Sequence, residues 1–270
     1  MRASKLMMDY FESLDAKVKY SYDVANKAKK KGFDPDQFVD IPLAQNMMER
    51  VVGLISIVAP QIIGKGVEQI IQDLEKQYGR LDWRVALTIS LEVAQEKFCT
   101  FKNKLQSMEV GIRIGLAYIT LGVVVSPLEG FSRLELKKTK DGKEYFALFY
   151  AGPIRSAGGT AAAVSVVVAD YIRLKMGYEK YDPTKEEINR SVSETKDYHE
   201  RITNLQYLPS DEEIICLASN LPVQITGDAS EKIEVSNYKD LQRIETNLIR
   251  NGFCLVFAEC FAQKAKKVNA

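Results

Sequence analysis

The run KEYFALFYAGPIRSAGGTAAAVSVVVADYIRLKMG, residues 143–177, constrains this chain more than any other stretch. An apolar run, Tyr145 to Ala151, leads into a turn holding Gly152, Gly158 and Gly159, and a long Ala- and Val-rich segment follows. A short apolar run, a glycine-bearing turn and then a continuous apolar segment of helical length read as strand, glycine turn and helix. That order is the layout of a phosphate cradle. A Walker A loop would place its second glycine five positions after Gly152, where Ala157 stands, and would set a Lys before Thr160, where Gly159 stands. The G-x-G-x-x-G pattern fails at Ile154. What remains is weaker: two adjacent glycines that admit close backbone approach, a helix start with free N–H donors, and the guanidinium of Arg155. Arg155, Ser156, Gly158, Gly159 and Thr160 are therefore candidate phosphate contacts. The alternatives are a nucleotide site, or a turn whose glycines serve only helix packing.

The rest of the chain divides by period. Residues 4–31 read as one amphipathic helix through Leu6, Tyr10, Phe11, Leu14, Val18, Tyr22 and Ala25, ending in Lys27, Lys29, Lys30, Lys31 and Gly32. Further helices are expected over 43–58, 65–78, 82–97 and 105–122. Near Ser126-Pro127 the pattern turns to strands on either side of Asp141-Gly142, a strong hairpin signal. Helices follow over 159–176 and 183–201, and a short one from Ser210, the last two opened by Thr184-x-x-Glu187 and Ser210-x-x-Glu213 capping boxes. ITNLQYL, LPVQITG and KIEVS read as short strands, and residues 252–267 as a final helix. The expected fold is α+β: a helical region over 1–125, then 126–270 with a small mixed or antiparallel sheet and packed helices.

Charge narrows the function. The net charge is +1 over 270 residues, so any nucleic-acid surface must be local. Lys137, Lys138, Lys140 and Lys143 surround the expected hairpin tip, and are candidate phosphate contacts if hairpin and glycine turn share an edge. Glu129, Glu135, Asp141 and Glu144 dilute them. Asp170 and Glu259 each interrupt an apolar helix and call for a cationic partner such as Arg155, Arg173 or Arg250. With one His, no C-x-x-C pair and no H-E-x-x-H motif, the sequence offers no catalytic or metal-binding constellation. Cys99, Cys216, Cys254 and Cys260 read as buried free thiols of a cytosolic protein. The N-terminus is charged, and no apolar run spans a membrane.

YAGPIRSAGGTAAAVSVVVADYIRLKMG, LQYLPS at 205–210, LPVQITGDA at 221–229, VSNYKDLQRIETNLIRNG at 235–252 and IGLAYITLGVVVSPLEGF before the hairpin together resemble the N-terminal region of the large subunit of archaeal DNA polymerase II, the family D replicative polymerase. The resemblance is ordered over about residues 113–267. It implies a DNA polymerase of two subunits, the large one synthesising DNA with Mg²⁺ and the small one carrying a proofreading exonuclease, with primer-template DNA and a sliding clamp as further partners. The family's catalytic acids lie beyond this region, on double-psi β-barrels, so no catalytic residue is carried onto these positions. Its length makes the chain a cut fragment or one part of a split gene. The family region is described as KH-like, yet this sequence lacks the G-x-x-G loop of KH domains. A DNA-guiding or scaffolding role, an assembly module without DNA contact, and a nucleotide-binding domain are the readings that remain.

Overall fold

The computed structural model describes residues 4–33 and 44–264. By contacts the chain forms two compact units, Met1–Pro42 and Leu43–Ala270. In the first, Ser4 Oγ accepts the Met7 N–H and caps α1 (Lys5–Lys30), whose last turn carries Lys27, Lys29 and Lys30 against the negative end of the helix dipole. Gly32 then takes a positive φ.

The second unit begins with four helices, α2 (Met47–Ser56), α3 (Val67–Tyr78), α4 (Trp83–Ala94) and α5 (Lys104–Ile119). Their apolar faces close a core of Val51, Ile55, Ile71, Ile89, Ile114 and Tyr118. The Tyr118 hydroxyl donates to Glu75 Oε1 at 2.8 Å and accepts from the Leu81 N–H at 2.9 Å, so the one polar atom of that ring is satisfied. Helices α4 and α5 cross at small residues: a Cβ added at Gly111 would lie 2.5 Å from the Ser90 carbonyl oxygen.

The other side of α5 packs on a second core, shared with β1 (Phe131–Lys138), β2 (Glu144–Tyr150), α6 (Gly159–Lys175) and the C-terminal helix. The boundary expected near residue 125 is thus a change from helix to strand and not a gap in packing. Arg113, buried on α5, stitches the junction: its guanidinium donates to the carbonyls of Pro127, Phe131 and Ser132 at 2.6 Å each and to Glu109 at 2.8 Å. The turn it holds, Ser126–Gly130, is π-helical.

The sheet has the order β1-β2-β3, with β3 (Gln224–Thr226) parallel to β2. As the central strand β2 is buried on both faces: Phe146, Leu148 and Tyr150 enter the large core, while Tyr145, Ala147 and Phe149 pack with Tyr181. The hairpin turns at residues 139–143, as Asp141-Gly142 predicts, with Gly142 at φ +80°. Helices α7 (Lys185–Arg201) and α8 (Asp211–Asn220) start at their capping boxes. The C-terminal helix starts as α9 (Asn251–Leu255) and continues through a π-helical stretch, Val256–Ala262, which with α9 buries Cys254 and Cys260; Cys216 on α8 is exposed and Cys99 half-buried, against the expectation of four buried thiols.

Two expected strands do not form. In ITNLQYL the Leu205 N–H goes to His199 Nδ1 and the Gln206 N–H to Glu259, so side chains take the donors a strand would offer. In KIEVS, residues 233 and 235 pair with 249 and 247 and make one isolated bridge outside the sheet.

Candidate nucleic-acid interface

Strand β2 ends at Tyr150, and a 3₁₀ turn, Gly152–Ala157, reverses the chain into α6. Gly158 and Gly159 each have a structural reason. Gly158 sits at φ +77°, where an L side chain is strained. A Cβ added at Gly159 would meet the Glu259 carbonyl oxygen and the Lys264 ε-carbon, both at 2.9 Å. The glycines therefore allow α6 to start against the C-terminal helix, and no phosphate is needed to account for them.

The polar groups around the turn are partly engaged. The Ser156 hydroxyl bonds to the Pro153 carbonyl at 2.9 Å and to Ser126 Oγ at 2.6 Å. Arg155 Nη2 donates to Glu259 Oε1 at 3.0 Å, and the same oxygen accepts the Gln206 N–H. The two ends of that pair differ: the Glu259 side chain is 8% exposed and that of Arg155 is 46% exposed, so the guanidinium keeps a solvent face. Asp170 pairs with Arg173 at 2.7 Å, one turn along α6.

The start of α6 differs in charge from the starts of α7 and α8. Those carry Glu186 and Glu187, and Asp211, Glu212 and Glu213, in their first turns. Helix α6 has no acid there and no side-chain cap, and its N-cap residue is Gly158. Thr160 is exposed in its first turn. Arg155 precedes it, and Lys264, which has no carboxylate partner among the described residues, lies against Gly159. A cation beside the positive end of a helix dipole runs against the usual preference; Glu259 already answers Arg155 on one side, and a further anion would relieve Lys264 and the open face of the guanidinium. Lys264 stands at the end of the described part of the C-terminal helix; Lys266 and Lys267 lie outside the described residues.

The hairpin lysines form a separate group. Tip and glycine turn lie at opposite ends of β2, and six residue steps at about 3.3 Å put roughly 20 Å between them. They do not share an edge. Lys137 is nearly buried: its ammonium donates to Glu245, to Gln224 Oε1 at 3.1 Å and to the Arg243 carbonyl at 3.0 Å. Burial pushes its pKa down, against the pull of Glu245. Lys138 pairs with Glu144 at 3.1 Å and Lys143 with Glu179 at 2.6 Å. Lys140 reaches the Pro183 carbonyl at 3.3 Å. Lys137, Lys138 and Lys140 line an open cleft of about 780 Å³ with Arg243, Glu186, Glu187 and Asp240. Mixed charge on its walls weakens its field for an anion. Tyr145, Phe149 and Tyr150 are buried and offer no stacking platform; the Arg133 guanidinium covers the Phe149 ring at 3.6 Å.

The long segment between β3 and α9 is fixed by ion pairs that sequence patterning does not reveal. Fully buried Glu194 accepts from Arg190 Nε at 3.1 Å and from Arg250 Nη2 at 2.6 Å, and Arg250 Nη1 donates to Thr226 at 2.7 Å. Arg243 holds Asp182 at 2.5 Å and Glu187 at 2.6 Å. The only signal in the sequence was the i,i+4 spacing of Arg190 and Glu194.

Residues 9–270 match the family model described as DNA polymerase II large subunit DP2, N-terminal. Among similar proteins, the DNA polymerase II large subunit of Nanoarchaeum equitans is 52% identical over 261 residues, 97% of this chain and 21% of that protein. Those of Methanosarcina barkeri and Thermoplasma acidophilum are 45% and 41% identical, over 98% and 96% of the chain and 22% and 23% of theirs. The chain spans about a fifth of the length of these curated relatives.

Proposed function

The chain belongs to the family of the N-terminal region of the DNA polymerase II large subunit, and from that premise we propose that it is a non-catalytic, DNA-guiding and scaffolding part of a two-subunit archaeal replicative polymerase. DNA synthesis and its Mg²⁺ then belong to the remainder of the large subunit, and proofreading to a small exonuclease subunit, in a cytoplasmic enzyme that also meets a sliding clamp. No described helix is long and apolar enough to cross a membrane. A scaffold is supported by the acids themselves: Glu187, Glu194, Glu245 and Glu259 are each committed to an arginine or lysine of the fold.

The observation that carries DNA contact is the start of α6, an uncapped helix N-terminus without acids, flanked by Arg155 and Lys264. Its backbone donors and the two cations suit one phosphate of a DNA strand, sequence-independently. Lys138, Lys140 and Lys143 would add weak attraction, each already sharing its charge with a protein oxygen. The test is a fluorescence-anisotropy titration of the 270-residue chain with primer-template DNA at about 50 mM salt, where few phosphate contacts still give measurable binding. Salt-sensitive binding without primer extension in Mg²⁺ is expected. Extension above a mock preparation, or no binding at all, would overturn the reading.

A second reading, an assembly module without DNA contact, is favoured by exposed apolar side chains such as Trp83 at 61% and Leu174 at 62%. A shift in melting temperature with ATP or a dNTP would instead favour a nucleotide site at the turn.

A further inference from the structure

Of the eleven arginines among the described residues, nine pair with a carboxylate; Arg50 and Arg80 do not. Both line one cleft of about 330 Å³, with Asn46, Met47, Leu121 and Val123. Arg50 lies on α2 and Arg80 in the turn between α3 and α4. Elsewhere this chain matches its guanidinium groups with acids closely, so two unmatched ones on one cleft leave it with a net positive charge.

The cleft is built. The Leu121-Gly122 turn after α5 lies over the stem of Arg50: a Cβ added at Gly122 would sit 3.0 Å from Arg50 Cγ. Among the described residues Arg80 Nη2 meets only the Met47 sulfur, a weak acceptor, at 3.8 Å. Leu121 is held at φ +58°, a conformation that a branched side chain adopts at a free-energy cost and that tends to mark binding sites. Val123 stands 62% exposed on the rim.

We propose that this cleft docks an acidic polypeptide segment, its carboxylates taken by Arg50 and Arg80 and an adjacent apolar side chain packed on Met47, Leu121 and Val123. The guanidinium fork matches a carboxylate bidentately. A nucleic-acid backbone would satisfy the two cations equally well. It would leave the apolar part of the cleft uncovered, and that part decides for a peptide. The cleft shares no residue with the start of α6, so peptide docking here is independent of DNA contact there.

The test uses the 270-residue chain and three fluorescein-labelled probes: a 12-residue peptide of alternating Glu and Leu, the same peptide with Gln for Glu, and a 12-nucleotide single-stranded DNA. The expected result is saturable binding of the acidic peptide at low salt, weakened at least tenfold by Gln for Glu. The double variant Arg50→Gln/Arg80→Gln should weaken it by a similar factor with an unchanged melting temperature. Val123→Ser should weaken it too, which a purely ionic contact would not. No saturation by the acidic peptide, equal binding by the double variant, or displacement of the peptide by the DNA at lower concentration would each overturn the proposal. The last would make the cleft a phosphate-backbone site.

Discussion

The guanidinium of Arg155 and the carboxylate of Glu259 meet at 3.0 Å across 104 residues of sequence, and so fasten the glycine turn to the C-terminal helix. Glu259 is the buried partner and Arg155 the half-exposed one. Loss of the arginine would leave a buried carboxylate with the Gln206 N–H. Arg155→Ala should therefore destabilise the fold by about 1–2 kcal/mol, less than a fully buried pair because solvent screens the guanidinium. Urea unfolding measures it, and Arg155→Ala/Glu259→Gln should recover part of the loss. A single variant as stable as the parent would show that the pair contributes nothing.

Glu194 answers two buried arginines. Glu194→Ala strands Arg190 and Arg250 without a counter-charge and should cost about 3–5 kcal/mol. Glu194→Gln keeps the shape and some acceptor capacity and should cost less. The order of the two midpoints in urea checks this; equal values would mean that the charge does not matter there.

The helices and the sheet unfold together in this account, because α5 carries a buried face toward each core. A fragment over residues 43–270 should melt cooperatively near the temperature of the whole chain. One starting at residue 105 would bare Val110, Ile114 and Tyr118, and should lose cooperative melting by circular dichroism. A sharp transition in the shorter fragment would restore a boundary near residue 125.

Acid should loosen the segment between β3 and α9. Burial pushes the Asp182 carboxyl up, but the Lys140 N–H and Arg243 hold it below its ordinary range. The hydrogen bond from Arg133 does the same for Asp228. A carboxyl depressed in the fold adds stability that is complete above its unfolded pKa and is lost as pH falls through its folded value. Stability should thus hold from neutral pH to about 4 and decline below that. In Asp182→Asn/Asp228→Asn the decline should be shallower; an unchanged slope would remove these pairs from the account.

Much of the fold was legible because local chemistry fixes it. Asp141-Gly142 located the hairpin, and Thr184 and Ser210 located two helix starts. The α+β class followed from the change of period near Ser126. The parallel pairing of β3 was hidden because a three-residue strand carries no period of its own. The Arg190–Glu194–Arg250 network was hidden because charges on α7 resemble a solvated face. At the glycine turn, the sequence pointed to Arg155 and the start of α6. Placing Lys264 beside them required the C-terminal helix to cross Gly159, a tertiary contact. The hairpin lysines failed to join the turn for a simple reason: the length of β2 separates them.

The most direct test of DNA guiding at the start of α6 is the salt dependence of primer-template binding by Lys264→Gln. This variant removes a cation with no carboxylate partner among the described residues, so stability should stay within about 0.5 kcal/mol of the parent. If Lys264 meets a phosphate, affinity should fall and the log–log salt slope should shrink by about one unit. A slope and affinity equal to those of the parent, with the protein still folded, would contradict a phosphate site at this helix start.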